Sequence, residues 1–258
     1  MQVPDRPRPD QYHARTGHAL LPGCSKLFKQ IEEVKSYAVA NEMKINSRKT
    51  KFMLFNNCRN LDFMPKLNLE NDEIELLEEM KILGVVFSSD MKWHANTANL
   101  VDRAYSRVWI LRRLKNLGTG VPELLDVFRH QIRSILELAA PVWHSSLTLD
   151  DRTDIERVQK SSLQIILGDR YLTYKNALQT ANLKSLEQRR NQLCLKFTSK
   201  AVKNPKHRNW FKVNKKVTNT RQSQPTFCPV FSRTVRFQKC PISFMTNLLN
   251  SKYSKSKV

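Results

Sequence analysis

The spacing of the apolar residues changes at about Trp93, and this change restricts the architectures open to the chain. Before Trp93, apolar residues occur in short runs such as Phe52–Phe55 and Ile82–Phe87, which are typical of strands. After it, they recur every three or four residues, as on one side of a helix: Val101, Ala104, Val108, Leu111 and Leu114. The sequence therefore predicts an α+β fold that is mainly α, with a small β-containing part followed by a helical bundle.

Start and stop signals divide the helical region. Gly118 and Gly120 end the first helix, and Pro122 opens a second one that Pro141 interrupts. The later boundaries are Asp150–Asp151 to Gly168, Tyr174–Thr180, and Leu186–Val202 behind a Ser185/Gln188 capping box. The sequence thus predicts a bundle over residues 91–203.

The segment before the bundle predicts one helix and several short strands. The helix covers Ser25–Glu42, and Leu67–Leu69 and Ile74–Leu76 form a hairpin around Asn71-Asp72. Ile82–Phe87 predicts one continuous buried strand, in which Gly84 marks either a close approach of another backbone or plain sheet packing. The chain then divides into an irregular leader (1–24), this α+β segment (25–90), the bundle (91–203) and a basic, loosely ordered tail (204–258) with a last helix at Pro241–Leu249.

The charge is strongly one-sided. No Asp or Glu follows Glu187, whereas seventeen Lys and Arg do, and the net charge is +21. A surface of this kind favours a polyanion, so RNA or DNA is the predicted partner, although a basic tail without a partner or one that meets acidic membrane surfaces also fits. No run of eighteen apolar residues occurs, so no membrane span is predicted.

The cysteines and the first residues indicate an intracellular protein. Five scattered cysteines, an odd number, argue against a disulfide framework and against zinc. Residues 1–17 lack the apolar region of a secretory signal. The basic clusters are compatible with a nuclear location.

Two constellations are candidates for chemistry. Asp150-Asp151 follows Thr148-Leu149 and opens a helix, so helix capping explains the pair better than two-metal chemistry does. The first bundle helix carries aromatic residues among its cations, which fits either a solvated face or contact with phosphates and bases. Its cations are Arg103, Arg107, Arg112 and Arg113, and the aromatic residues are Trp93, Tyr105 and Trp109.

Six blocks in a fixed order resemble the C-terminal part of a reverse transcriptase of jockey-like non-LTR retrotransposons. Residues 43–51 resemble the family's "LN–x–x–KTK" segment, Lys81–Val85 its "YLGV" primer grip, and Trp93 with Ala104–Leu117 its thumb helix. The later blocks resemble "IRPILEYAAPVW", "ERVQ–RA–RIILG" and "SLEERR–xx–LC": Ile132–Trp143, Glu156–Gly168 and Leu186–Cys194. The resemblance covers about residues 25–210 and implies the end of a palm followed by a thumb.

The resemblance also implies roles for single residues. Lys49 and Lys51 would lie near the incoming nucleotide or the template, and Leu83-Gly84 would support the primer end. The thumb cations Arg103, Arg107, Arg112 and Arg113 would follow the duplex backbone. Arg189 and Arg190 of the last block complete the predicted nucleic-acid-binding set.

One part of the family pattern is missing from these 258 residues. In the family, Mg²⁺ is held by an aspartate on an early strand and by a pair in an aromatic-Ala-Asp-Asp hairpin, both before the helix at Ser25. Asp5 and Asp10 lie among prolines and do not replace them. The resemblance therefore implies a truncated polymerase domain that binds nucleic acid, with no catalytic residues and no metal of its own. The alternative is a helical protein-interaction module with a basic targeting tail.

Overall fold

The computed structural model describes residues 24–55, 67–69, 72–214 and 226–255. The fold is α+β and mainly α, as predicted. The chain forms two compact units, Met1–Leu77 and Glu78–Val258. The predicted leader lies outside the described residues except for Cys24, and so does the Asn71 turn residue.

The described residues of the first unit form one α-helix and four very short strands. Helix α1 (Cys24–Ala40) confirms the predicted helix, and a single 3₁₀ turn covers Ser47–Lys49. The strands are β1 (Lys51–Phe52), β2 (Asn68–Leu69), β3 (Asp72–Glu73) and β4 (Glu75–Leu76). A small core formed by Leu67, Leu69 and Ile74 packs against Ile31, Ile45 and Phe52.

The predicted hairpin of the first unit is partly wrong. Strand β2 does pair with an antiparallel neighbour, but the partner is β3, through Asn68–Glu73 and Leu69–Asp72. Strand β4 pairs instead with β1 in parallel, with Lys51 opposite Glu75. The buried side chain of Ile74 separates the two pairings, because it turns into the small core between β3 and β4.

The second unit begins with a hairpin where the sequence predicted one continuous strand. Strands β5 (Glu79–Ile82) and β6 (Val85–Ser88) are antiparallel and place Ile82 opposite Val85. Both residues of the turn have positive φ, 49° for Leu83 and 86° for Gly84. The predicted single strand is wrong because Gly84 supplies the left-handed backbone that a two-residue turn requires.

Two long parallel helices form the centre of the second unit. Helix α2 (His94–Asn116) ends near Gly118, and α6 (Leu149–Leu167) ends at Gly168, both as predicted. At their amino ends His94 Nδ1 lies 3.0 Å from Asp151 Oδ1. At their carboxyl ends Lys115 Nζ donates to the carbonyl oxygen of Ile165 at 2.5 Å. The side chains of Leu100, Ala104, Val108, Leu111, Ile155, Val158, Leu163 and Ile166 contribute to the core that these helices share.

The segment between these helices is helical but irregular. Helix α3 (Val121–Val127) continues through a π-helical stretch, Phe128–Arg133, into α4 (Ser134–Leu136). Ala139 has a φ of 49°, and α5 (Ala140–Trp143) follows it. The predicted interruption at Pro141 is confirmed, and Pro141 occupies the first turn of α5, where its missing N–H is not needed.

The remaining helices complete the bundle. Helix α7 (Tyr174–Thr180) has the predicted limits, and α8 (Leu186–Lys203) starts where Ser185 Oγ accepts from the Gln188 N–H at 3.2 Å. In the basic region, α9 covers Val235–Gln238, and α10 (Pro241–Lys255) confirms the predicted last helix. Helix α10 packs on α8 through a second core that consists of Cys194, Ala201, Phe211, Phe227, Met245 and Leu249.

Candidate nucleic-acid interface

The solvent side of α2 carries exposed aromatic side chains beside cations. The helix turns Leu100, Ala104, Val108 and Leu111 into the core, so positions three and four residues apart on the other side point to solvent. There Tyr105 is 40% exposed and Trp109 54% exposed. Arg112 and Arg113 follow one turn after Trp109 and are exposed. We call these four residues, Tyr105, Trp109, Arg112 and Arg113, the α2 face.

The cations of the α2 face are not neutralised locally. Within the part of the chain that the structure describes, neither Arg112 nor Arg113 takes part in an ion pair. Asp102 is exposed on the same side of the helix, about two turns before Trp109. The face therefore combines two unpaired positive charges, two aromatic rings and one acidic residue at its amino end.

The other predicted cations of α2 lie elsewhere on the helix. Arg103 and Arg112 are nine residues apart, which is two and a half turns, so they occupy opposite sides of α2. Arg107 is exposed on the side of Arg103, and Arg103 is half-buried. One guanidinium nitrogen of Arg103, Nη1, is buried without a hydrogen-bond partner among the described residues. The four predicted arginines thus do not form one row.

Trp93 does not belong to the interface. It is buried, and its ring meets that of Phe87 edge to face at a centroid distance of 5.4 Å. Its role is to pack strand β6 against the start of α2. The exposed aromatic residues of α2 are therefore Tyr105 and Trp109.

The tip of the β5–β6 hairpin presents the predicted Leu83-Gly84 pair. The Leu83 side chain is 95% exposed although it is apolar. Gly84 faces the bundle, where an added Cβ would lie 3.1 Å from Leu138 Cδ2. Gly84 thus provides both the turn and the fit against Leu138, while Leu83 projects into solvent.

Arg189 and Arg190 are neighbours in the sequence of α8, but their side chains have different surroundings. Arg189 donates two hydrogen bonds of 2.9 Å to the carboxylate of Glu137, and these bonds raise the pKa of Arg189. Arg190 is 0% exposed, so its prediction as a nucleic-acid contact is wrong. The physical reason is its position, because Arg190 lies one turn from Leu186 and from Cys194 on the buried stripe of α8.

Arg190 belongs instead to a buried polar cluster that the sequence predictions missed. Its Nε donates to His144 Nδ1 at 3.1 Å, and His144 Nε2 donates to Asn191 Oδ1 at 2.8 Å. The guanidinium lies 5.9 Å from the ring centroid of Trp143, and burial lowers the pKa of Arg190. Arg190 lies four residues after Leu186 and four before Cys194, and this spacing was the signal that could have placed Arg190 inside.

Lys49 and Lys51 lie in the first unit. Lys49 is exposed at the end of the 3₁₀ turn, where its backbone N–H donates to Asn46 Oδ1 at 3.0 Å. Lys51 pairs across β1 and β4 with Glu75. An open depression beside them is lined by Lys44, Ile45, Asn46, Ser47, Arg48 and Asp72. Lys49 is thus available to a ligand, whereas Lys51 is held by a carboxylate.

The Asp150-Asp151 pair does not fit a two-metal site. Asp151 is buried, and its Oδ2 accepts from the Thr148 N–H at 3.1 Å and from Thr148 Oγ1 at 2.7 Å, which closes a capping box. Its other oxygen faces His94. Among the described residues, no group of three or more His, Cys, Asp or Glu side chains is placed to hold a metal ion. The capping interpretation is confirmed.

Comparison with known proteins gives no relative. No family model matches the chain, and no curated protein or solved structure matches it either. None of the helices over residues 24–55, 72–214 and 226–255 combines the length and the apolar character that crossing a bilayer requires.

Proposed function

We propose that this protein binds RNA or DNA and that residues 25–210 derive from the C-terminal region of a non-LTR retrotransposon reverse transcriptase. The observation that carries the binding proposal is the α2 face, where Trp109 and Tyr105 are exposed beside the unpaired Arg112 and Arg113. Unpaired arginines bind phosphate groups, and exposed aromatic rings accept bases. The excess of seventeen cations after Glu187 supports a polyanionic partner.

The resemblance and the geometry support the same surface. In the family that the blocks resemble, a cationic thumb helix lies against nucleic acid, and the block that resembles this helix falls on α2. Mg²⁺ would need a cluster of carboxylates, and the Asp151 carboxylate is already engaged by Thr148 and His94. Among the described residues, no group of three or more His, Cys, Asp or Glu side chains is placed to hold a metal ion, so the proposal is limited to binding.

A charge-reversal series tests the proposal on the whole chain. Arg112→Glu with Arg113→Glu should weaken binding of a labelled oligonucleotide at least tenfold in an anisotropy titration at fixed salt, because two phosphate contacts are lost. The matched control is Lys196→Glu with Lys200→Glu, which changes the net charge equally on the exposed side of α8. If both double variants weaken binding to the same extent, the α2 face is not the interface.

The second candidate is a helical protein-interaction module with a basic targeting tail. The observation in its favour is a set of apolar side chains exposed on the second unit, among them Leu149, at 77%, and Leu172, at 75%. Competition separates the two candidates. Heparin and RNA displace each other from a nucleic-acid-binding surface, whereas neither competes with a protein ligand that docks on exposed leucines.

A further inference from the structure

Tryptophan and tyrosine at a solvent face require a different explanation from the arginines beside them. Arginines suffice to follow a phosphate backbone, and two exposed rings add nothing to that contact. The Trp109 side chain is 54% exposed at the middle of a well-packed helix. Covering its apolar surface with a ligand would be favourable. The rings thus point to a ligand with flat apolar surfaces.

The geometry of α2 fits a ligand with a repeated flat group and a repeated negative charge. Tyr105 and Trp109 are four residues apart, which separates them by about 6 Å along the helix axis. Stacked bases follow one another at about 3.4 Å, so the two rings lie about two base steps apart. Arg112 and Arg113 continue the same side by another turn, where they reach the phosphates of the strand that stacks on the rings.

We infer that the α2 face binds unpaired bases of single-stranded RNA or DNA by stacking on Trp109 and Tyr105, with Arg112 and Arg113 holding the phosphates. This inference rests on the proposed function and refines its ligand class. In a duplex the π-faces of the bases are covered by their neighbours, so the rings of α2 have nothing to stack on. A single strand exposes those faces, and base stacking is sequence-tolerant.

The charge of the face argues for nucleic acid over a protein ligand. Trp, Tyr and Arg are also common at protein interfaces. However, Arg112 and Arg113 have no acidic partner among the described residues, and the chain carries a net charge of +21. A polyanion with aromatic groups satisfies both features, whereas an acidic protein satisfies the charge without needing the exposed rings.

The experiment compares single-stranded with fully paired probes on the whole chain. A single-stranded homopolymer of about 15 nucleotides and a blunt duplex of two separate strands with the same number of phosphates are titrated against Trp109→Ala and Trp109→Phe. Trp109→Ala should lose about 5- to 100-fold of its affinity for the single strand, which corresponds to one stacked base, and keep its affinity for the duplex. Trp109→Phe keeps a ring and should recover most of the loss.

Tryptophan fluorescence supplies an independent measurement with a matched control. Trp210 is also exposed, at 45%, but lies outside the α2 face. Single-strand binding should quench the emission of the wild type and of Trp210→Phe, whereas Trp109→Phe should lose the quenching while it still binds. Circular dichroism checks that each variant is folded.

Three results would overturn the inference. Equal losses for single strand and duplex in Trp109→Ala would show that the ring does not read unpaired bases. Unchanged affinity of Trp109→Ala for both probes would lead to the same conclusion. If polyglutamate displaced the labelled single strand as effectively as unlabelled single strand does, the contact would depend on charge alone. If Trp109→Ala binds normally while the Arg112/Arg113 reversal abolishes binding, the proposed function stands and this inference fails.

Discussion

At the scale of single residues, the most unusual feature is the buried pair of Arg190 and His144. Both are almost completely buried, at 0% and 2% exposure. Two guanidinium nitrogens of Arg190, Nη1 and Nη2, have no hydrogen-bond partner among the described residues. The Glu156 and Glu187 carboxylates partly offset the charge of Arg190, and burial keeps the neighbouring His144 neutral.

The neutral His144 leads to a prediction on pH. Burial, together with the nearby charges of Arg190 and Arg152, lowers the pKa of His144 to about 4, against about 6.5 in an unfolded chain. Between these values the unfolded state binds more protons, so stability is complete above about pH 6.5 and falls as the pH drops towards 4. The loss through this group should reach about 3 kcal/mol.

Urea unfolding between pH 7.5 and 4.5 measures this effect. The His144→Gln variant cannot titrate, so its free energy of unfolding should fall less steeply with acid than that of the wild type. His130→Gln removes an exposed histidine and should behave like the wild type. Parallel curves for all three proteins would contradict a neutral buried His144.

At the scale of elements, the turn of the β5–β6 hairpin contains a residue type that does not suit its backbone conformation. Leu83 has a φ of 49°, a left-handed conformation that costs an ordinary residue about 1 kcal/mol, and its apolar side chain is exposed. Asparagine is preferred at this position of such a turn. A strained, exposed leucine is a candidate contact residue, and the role that the resemblance implies for Leu83, support of the primer end, stays a prediction.

The substitution Leu83→Asn tests this conflict. It should raise the free energy of unfolding by about 1 kcal/mol, because Asn tolerates the left-handed backbone. Affinity for a primer–template junction should fall several-fold at the same time. The control is Leu117→Asn, which removes another exposed leucine, at 74%, whose φ is −83°, so no gain in stability is expected there. Higher stability with unchanged affinity would remove Leu83 from the interface.

The elements also show which parts of the fold the sequence could predict. Helix limits set by caps were correct, because Thr148 with Asp151 and Ser185 with Gln188 act through local hydrogen bonds. The β5–β6 turn was missed because the apolar run hid a Leu-Gly pair with none of the usual polar turn residues. The burial of Arg190 was not predicted, because its positive charge was taken to indicate an exposed side chain despite the spacing of its buried neighbours.

The π-helical stretch at Phe128–Arg133 could not be predicted from the spacing of its apolar residues. The buried side chains Leu124, Phe128, Ile132 and Leu136 are spaced by four residues each time. The regular helix α8 has the same spacing, because Leu186, Arg190, Cys194 and Thr198 are all buried there. Four-residue spacing of buried side chains therefore does not distinguish a π-helical turn from a regular α-helix.

At the scale of the whole molecule, the stability of the second unit depends on elements outside the predicted bundle. Val85 and Phe87 of the hairpin pack into the main core, and α10 covers α8 through Met245 and Leu249. A fragment of residues 93–203 lacks all four side chains. Each is worth about 1.5–3 kcal/mol of burial, and the sum is comparable with the about 5–15 kcal/mol that keeps a domain folded.

A fragment comparison checks this argument. Residues 78–258 should give a monomer on size-exclusion chromatography and a cooperative thermal transition by circular dichroism. Residues 93–203 should aggregate or melt without cooperativity, because Cys194, Ala201 and Trp93 become exposed. Equal behaviour of the two fragments would show that the hairpin and α10 do not contribute to the core's stability.

The distribution of charge over the whole chain gives the last prediction. If binding neutralises about six phosphates, the logarithm of the association constant should fall against the logarithm of salt concentration with a slope of about −5. Arg112→Gln with Arg113→Gln should reduce the magnitude of the slope by about 2, one unit for each lost phosphate contact. Lys196→Gln with Lys200→Gln leaves the α2 face intact, so its slope should match the wild type. A reduction in this second pair alone would assign the phosphate contacts to the basic region after Glu187. A slope near zero in the wild type would contradict nucleic-acid binding, because a chain with a net charge of +21 cannot bind a polyanion without releasing its counterions.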